Sequence, residues 1–319
     1  MPEYTKNGYL NSQFKMFHLK DQDRKNFTYH YHDFHKILIL LSGDITYCIE
    51  GRSYELLPND IVLVGAGEVH RPIINSGDLY ERIIIYVSPD YLSNYTTEGD
   101  DLSLCIRKAT MEQSHVLRFS NAPASKLDSA IHALDRALDD TDYAYALHQE
   151  LLFLEFMIQL NRASLHNGIH FIQNSPSDEK MVAILDYLNH HLTDDISIDD
   201  ICSHFFLSRS YLMHSFKEQT GYTIGNYLNT KRLLLAKKLI SSGTPITEVC
   251  YACGFKNYST FSRAYKKNFG EAPRDFRQGL AGSDFGRVHR KSEGYDPDGH
   301  FCNGAEYLQG SGKVLAYGF

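Results

Sequence analysis

Four residues near the start of the chain carry side chains able to hold a ligand or a metal: His30, His32, Lys36 and His70. His30 and His32 are two apart and Lys36 lies four further on. The two-residue period of a strand puts all three on one face, with His35 on the other. Neutral imidazoles suit zinc or iron, so a three-His metal site of His30, His32 and His70 is one reading. Another is a mouth lined with histidines that hydrogen-bond a ligand, and a third is a polar rim. Lysine is a poor metal ligand, since its ammonium has no lone pair at neutral pH. As a cation beside a pocket, Lys36 favours a ligand bearing a carboxylate or phosphate. Cys250 and Cys253 form an isolated C-x-x-C. No second pair at zinc spacing is near and the segment reads as helix, so this pair is assigned to core packing.

The second group of chemistry-bearing residues belongs to a duplicated stretch. The run IDDICSHFFLSRSYLMHSFKEQTG, residues 198–221, is repeated as ITEVCYACGFKNYSTFSRAYKKNFG, residues 246–270, with a one-residue slip in the turn. Each copy reads as helix, tight turn, helix. In the first copy Ile198, Ile201, Cys202 and Phe205 share a helical face, Ser208 caps the next helix ahead of Tyr211, Leu212 and Phe216, and Gly221 stops it. In the second, Pro245 opens the first helix, Gly254 supplies the turn and Asn257 caps the following helix. That spacing leaves Arg209, Ser210, Met213 and His214 on the outer face of one second helix. Tyr258, Ser259, Ser262 and Arg263 hold the same places on the other. These are the positions where a recognition helix meets base edges.

Charge separates that reading from a merely solvated helix pair. From Arg209 to Arg277 twelve Lys and Arg stand against four acids, a balance of +8 inside a chain whose net charge is −7. A basic module in an acidic protein is the footprint of phosphate binding.

Residues from about Met181 to Gln278 resemble the DNA-binding domain of AraC/XylS-type transcription regulators. The run GFKNYSTFSRAYKKNFGEAPRDFR, residues 254–277, carries the resemblance most strongly, together with the duplicate, the connecting YLNTKRLLLAKKLI helix and Ala272-Pro273. Phe206 departs from the pattern at a turn position where the family more often has Gly; a left-handed backbone there would be strained. The resemblance implies base readout by the eight positions named above. It also implies a rigid connecting helix, Tyr227–Ile240, that presents both recognition helices to successive major-groove segments.

Ahead of this module the texture is β. From Phe27 to Val87 short apolar runs alternate with Gly and Pro punctuation, which argues a small barrel or sandwich. The region resembles a cupin-type sensor domain, through His30-x-His32 and ELLPNDIVLVGAGEVH ending at His70. In metal-binding cupins a Glu follows the His pair; here that place is Lys36. The expectation is therefore an effector pocket that uses His30, His32, Lys36 and His70, with no metal and no cofactor. Residues 1 to about 25 read as a weakly patterned lead-in, and 91–121 as a connecting helix and loop. Ala124–Asp139 and Tyr143–Ser164 read as two amphipathic helices, the second apolar over more than one stripe, as suits packing on the barrel and on a second chain.

The architecture expected is α+β: a cupin-like effector-sensing domain (1–121), a helix pair for dimerisation and linkage (122–170), an all-α domain of two helix-turn-helix units (178–278), and a Gly-rich, disordered tail (279–319). No run reaches the apolar length of a membrane span and no signal segment is apparent, so a cytoplasmic protein is expected. Six scattered cysteines fit reduced, mostly buried thiols. The function expected is a sequence-specific transcription regulator, an activator by family habit, not an enzyme. Its expected partners are double-stranded DNA, a sugar-like effector that could be anionic, a second copy of the chain, and RNA polymerase. The rivals are a metal-dependent cupin enzyme fused to a DNA-binding domain, which Lys36 argues against, and an architectural DNA-binding protein with an inert barrel.

Overall fold

The computed structural model describes residues 10, 12–22, 27–77, 79–95, 99–119, 126–165, 169–172, 175–176, 179–282, 294–295, 301–302 and 315–317. In chain order the first elements are β1 (Phe14–Asp21), β2 (His35–Ser42), β3 (Ile45–Ile49), β4 (Arg52–Glu55), β5 (Ile61–Val64), β6 (His70–Ile74) and β7 (Tyr80–Val87). There follow α1 (Pro89–Ser93), α2 (Leu104–Met111), β8 (Val116–Phe119), α3 (Lys126–Ala137), α4 (Tyr145–Leu165), β9 (Ile169–Phe171) and β10 (Ser175–Pro176). The helical part comprises α5 (Glu179–His190), α6 (Ile198–Phe205), α7 (Arg209–Thr220), α8 (Ile224–Ser241), α9 (Ile246–Ala252), α10 (Tyr258–Phe269) and α11 (Pro273–Gly282). Short strands β11 (Gly294–Tyr295), β12 (Phe301–Cys302) and β13 (Leu315–Tyr317) come last. Two compact units result, one built on Lys6–Ser177 and the other on Asp178–Glu293.

The sensor unit consists of a seven-stranded sheet, ordered β13-β1-β7-β2-β5-β8-β9, and a four-stranded sheet, ordered β10-β4-β3-β6. Both faces of the larger sheet are covered, which explains why β2, β5 and β7 read as nearly continuous apolar runs. On β2, Ile37 and Ile39 face a cluster that includes Leu134 of α3 and Phe153, Phe156 and Leu160 of α4. Leu38 and Leu40 face the opposite way, into a cluster shared with Ile45, Tyr47 and Ile49 of β3 and Tyr54 of β4. The space between the two sheets is therefore the barrel interior, and strand alternation turns Lys36 toward it along with Leu38. The helix pair packs on the barrel as the sequence suggested.

Several strands were not legible, β1 and β8 among them. β1 lies in the stretch read as a lead-in, yet it pairs antiparallel with β7 over eight residues. Its polar Lys15 and His18 interrupt the apolar pattern; His18 is held by Asp135 of α3 and Glu81 of β7, each at 2.8 Å. β8 lies in the stretch read as helix and loop, and pairs with β5. Neither is His30-x-His32 part of the same strand as Lys36. His30 makes a single antiparallel bridge with His70, and β2 begins only at His35. His30 touches β6 in the small sheet and β2 belongs to the large one, so the chain turns a corner between them. Most of the 279–319 tail lies outside the described residues; its described parts are the end of α11, the β11–β12 ribbon, and β13 paired with β1.

In the helical unit the two expected side-chain caps, Ser208 and Asn257, are present, and a third was not foreseen. Ser197 and Asp200 form a reciprocal capping box on α6, Ser208 accepts from the Tyr211 amide on α7, and Asn257 accepts from the Thr260 amide on α10. α7 and α10 both end on left-handed glycines, Gly221 and Gly270. The second copy encloses Val249, Cys250, Cys253, Phe255, Phe261 and Tyr265 against Leu233, Ala236 and Ile240 of α8. Burial pushes the Cys253 thiol up to about 12 and also raises Cys250, as expected of packed rather than reactive sulfurs. The turn before α10 needs glycine for two reasons: Gly254 has φ +76°, and a Cβ there would lie 2.7 Å from the Thr193 carbonyl oxygen.

A side chain on α8 ties the two copies together. Arg232, on α8, donates to the carbonyl oxygens of Leu192 at 2.7 Å and Asp194 at 2.7 Å, just ahead of the first copy. It also donates to Gly254 at 3.2 Å, in the turn of the second. Replacing it with Met, which keeps the stem but removes the donors, should cost about 2–4 kcal/mol of unfolding free energy; chemical denaturation would measure it. Phe206 has φ 53° and ψ 49° and is 93% exposed, so it has left-handed strain and little packing to compensate. Phe206→Gly should therefore raise stability by about 0.5–1 kcal/mol, the relief of strain outweighing the added chain entropy. Thermal melting of the two proteins decides the sign.

Candidate functional site

Two sets of residues carry the chemistry, one in each unit. In the sensor unit His30, His32, Lys36 and His70 are all buried, none more than 4% exposed. They are interior rather than on the rim. The His30 and His70 rings stand 4.4 Å apart between centroids, and His32 is 5.1 Å from His30 and 5.0 Å from His70. Phe34 stacks on His32 at 4.6 Å, and Tyr86 and Tyr47 border the group. The Lys36 ammonium lies over the Tyr47 ring, 5.9 Å from its centroid. Burial, and then the charge of Lys36, lower the His30 pKa to about 4. His70 is likewise held well below its ordinary value, first by burial. Both rings are therefore neutral at neutral pH.

The loop that carries His70 is anchored by Glu68, which sequence reasoning did not single out. Its backbone oxygen accepts from His70 Nδ1 at 2.9 Å. Its carboxylate accepts from the Gly65 amide at 2.6 Å, from Thr110 Oγ1 of α2 at 2.9 Å, and pairs with His115 Nε2 at 3.1 Å. Tyr54 of β4 completes the chain at His115 Nδ1, 3.1 Å away. Glu68 thus links the interior histidines to α2 and to the segment leading into β8. Burial of a carboxylate beside a distant histidine leaves no local sequence pattern.

In the helical unit the outer faces of α7 and α10 carry the eight expected positions. Arg209, Ser210, Met213, His214, Ser259 and Arg263 are exposed; Tyr258 and Ser262 are half-buried. Tyr258 leans on the second-copy core, with its ring 6.1 Å from that of Phe261. Arg209 is held by Asp199 of α6 at 3.0 Å, and Arg263 Nε lies back along its own helix, donating to the Ser259 carbonyl at 3.2 Å. Both bonds are solvent-exposed and cost little to exchange for another acceptor. Tyr211 was assigned to the apolar face of α7, but it is about half exposed beside Ser210 and joins the outer surface. Lys256, in the turn ahead of α10 and 2.8 Å from Asp195, adds a cation near the same edge. The N-termini of α7 and α10 add partial positive charge suited to phosphate.

Family models match both units: residues 17–157 match an AraC-like ligand binding domain and residues 201–279 a helix-turn-helix domain. Similar curated proteins include the HTH-type transcriptional activator RhaS of Escherichia coli (strain SMS-3-5 / SECEC), 27% identical over 258 residues covering 81% of this chain and 90% of that protein. RhaS of Shigella sonnei (strain Ss046) is 28% identical over the same length and coverage. Among solved structures, ToxT from Vibrio cholerae O395 is 18% identical, with 85% of this chain and 99% of that chain covered and a TM-score of 0.34. The ligand-binding match falls on the unit with the buried histidines, and the helix-turn-helix match on the unit with the paired outer helices. The chain belongs to the AraC family of transcription regulators, with an N-terminal ligand-binding domain and a C-terminal helix-turn-helix DNA-binding domain.

Proposed function

We propose that the protein is a cytoplasmic, effector-controlled transcription activator that binds its operator through both outer helices. The observation that carries this reading is the pair of capped, outward-facing helices α7 and α10 on one frame clamped by Arg232. The RhaS relatives, described as transcriptional activators, support the sign of regulation. Phosphate contacts from the surrounding Lys and Arg supply affinity and register, and base readout falls on Arg209, Ser210, Met213, His214, Tyr258, Ser259, Ser262 and Arg263. Arg263 is assigned to guanine, whose O6 and N7 a guanidinium reaches together.

The effector is a small sugar-like molecule held by His30, His32, Lys36 and His70. A buried lysine in that group selects an anionic oxygen. The effector shifts the population toward the arrangement that docks the DNA-binding module. A second copy of the chain pairs through α4, which leaves Leu147 and Leu151, each 57% exposed, on its outer side. RNA polymerase is the partner an activator requires.

Fluorescence anisotropy on duplexes tiled across the gene's upstream region, with a random duplex as control and at two salt concentrations, tests the reading. A tight site with a steep salt slope is expected. On that site Arg263→Ala should lose about 1–3 kcal/mol and relax one base position. Equal losses on specific and random DNA would reassign Arg263 to phosphate, and uniform weak binding to every duplex, with effector present, would remove the operator-binding function.

A further inference from the structure

Within the barrel, one ring nitrogen from each of His30, His32 and His70 lies within 4.8 Å of the other two. The protons on two of these rings can be placed. His30 Nδ1 is 2.9 Å from the Thr28 carbonyl oxygen, and His70 Nδ1 is 2.9 Å from that of Glu68. A carbonyl only accepts, so each Nδ1 carries the proton and each neutral ring leaves its lone pair on Nε2. Both of these Nε2 atoms are fully buried and, among the described residues, have no hydrogen-bond partner. Leaving such acceptors dry costs about 1–3 kcal/mol each. One water could donate to two of them; a cation accepts from all three rings.

We propose that His30, His32 and His70 form a binding site for a late first-row divalent cation, zinc above all, with a coordination position left for an anionic oxygen ligand. This rests on the reading of the barrel interior as the effector site. Three features carry it. The Nδ1–carbonyl bonds are the outer contacts that orient metal-bound imidazoles. The donor set is all imidazole, which suits zinc, copper or nickel and not magnesium or calcium. The spacing also fits: a tetrahedral ion with bonds of about 2.0–2.1 Å places its donors about 3.3 Å apart, so the widest separation here closes by no more than ~1.5 Å. Three imidazole ligands leave the charge of the ion uncompensated, and Lys36, also turned toward the barrel interior, adds another positive charge. The ligand completing the site is therefore an anion, which both cations attract.

The test uses the full chain, stripped with chelator and titrated with Co2+. One Co2+ per chain is expected, with visible d–d absorption that Zn2+ abolishes by displacement. His30→Gln and His70→Ala should each weaken binding at least ~100-fold. Because these positions are buried, Lys36→Glu probes the site from the opposite direction. A carboxylate in place of the repelling ammonium should tighten Co2+ binding at least ~10-fold, a gain that misfolding cannot produce. Far-UV circular dichroism checks each variant. A folded wild type without a d–d band, or Co2+ affinity unchanged in folded His30→Gln and His70→Ala, overturns the site. A chain that takes up no Co2+ but whose melting temperature rises with glucuronate also overturns it, while leaving the effector reading standing. Co2+ uptake supports the metal site whether or not glucuronate has an effect.

Discussion

The DNA-binding unit depends on one guanidinium. Each helix-turn-helix copy has its own caps and its own buried apolar residues, and nothing within a single copy fixes its direction relative to the other. Arg232 contributes most to this, because its donors reach carbonyls on both sides of α8, and the Lys256–Asp195 pair at 2.8 Å spans the same two segments. Burial lowers its pKa, yet a guanidinium remains charged, so its hydrogen bonds keep their charge-assisted strength. Arg277 of α11 adds a similar, more exposed contact to the carbonyls of Gly243 and Thr244 in the turn between α8 and α9. Under the proposed function, two recognition helices on one frame gain by mass action: once one is docked the second is already positioned, and the entropy of ordering it has been lost during folding rather than at binding.

The sensor unit solves a different problem. A sheet covered on one side by helices and on the other by a second sheet excludes water from most of its side chains. Polar groups in that interior need partners, and those present are organised around Glu68. The same residue orients His70 through its backbone and holds α2 through its carboxylate. A change at the histidines therefore has a short physical route to α2, which packs against α4 through Cys105 and Asn161, whose side chain accepts from the Cys105 amide at 2.7 Å.

Much of this was legible from the chain alone, and the reasons differ by element. The duplicate, its caps and its stops could be read because capping is local: Ser208 and Asn257 act on amides three residues away. The histidines could be picked out by type, but not their burial or their arrangement at a corner between two sheets. β1 was hidden because one of its faces meets α3, where His18 pairs with Asp135, so its polar positions look like surface. Arg232 was hidden among four basic residues on one helix. Its partners are backbone carbonyls 22 to 40 residues away, and a carbonyl leaves no mark on the identity of the residue that carries it.

The central claim is that α7 and α10 engage DNA together as one rigid pair. Hydroxyl-radical footprinting of the full chain on its tightest upstream duplex tests this most directly. Two protected stretches per DNA-binding unit are expected on one face of the duplex, separated by one helical turn of ~10 base pairs. A single protected stretch per unit, or even protection along the whole duplex, would contradict it.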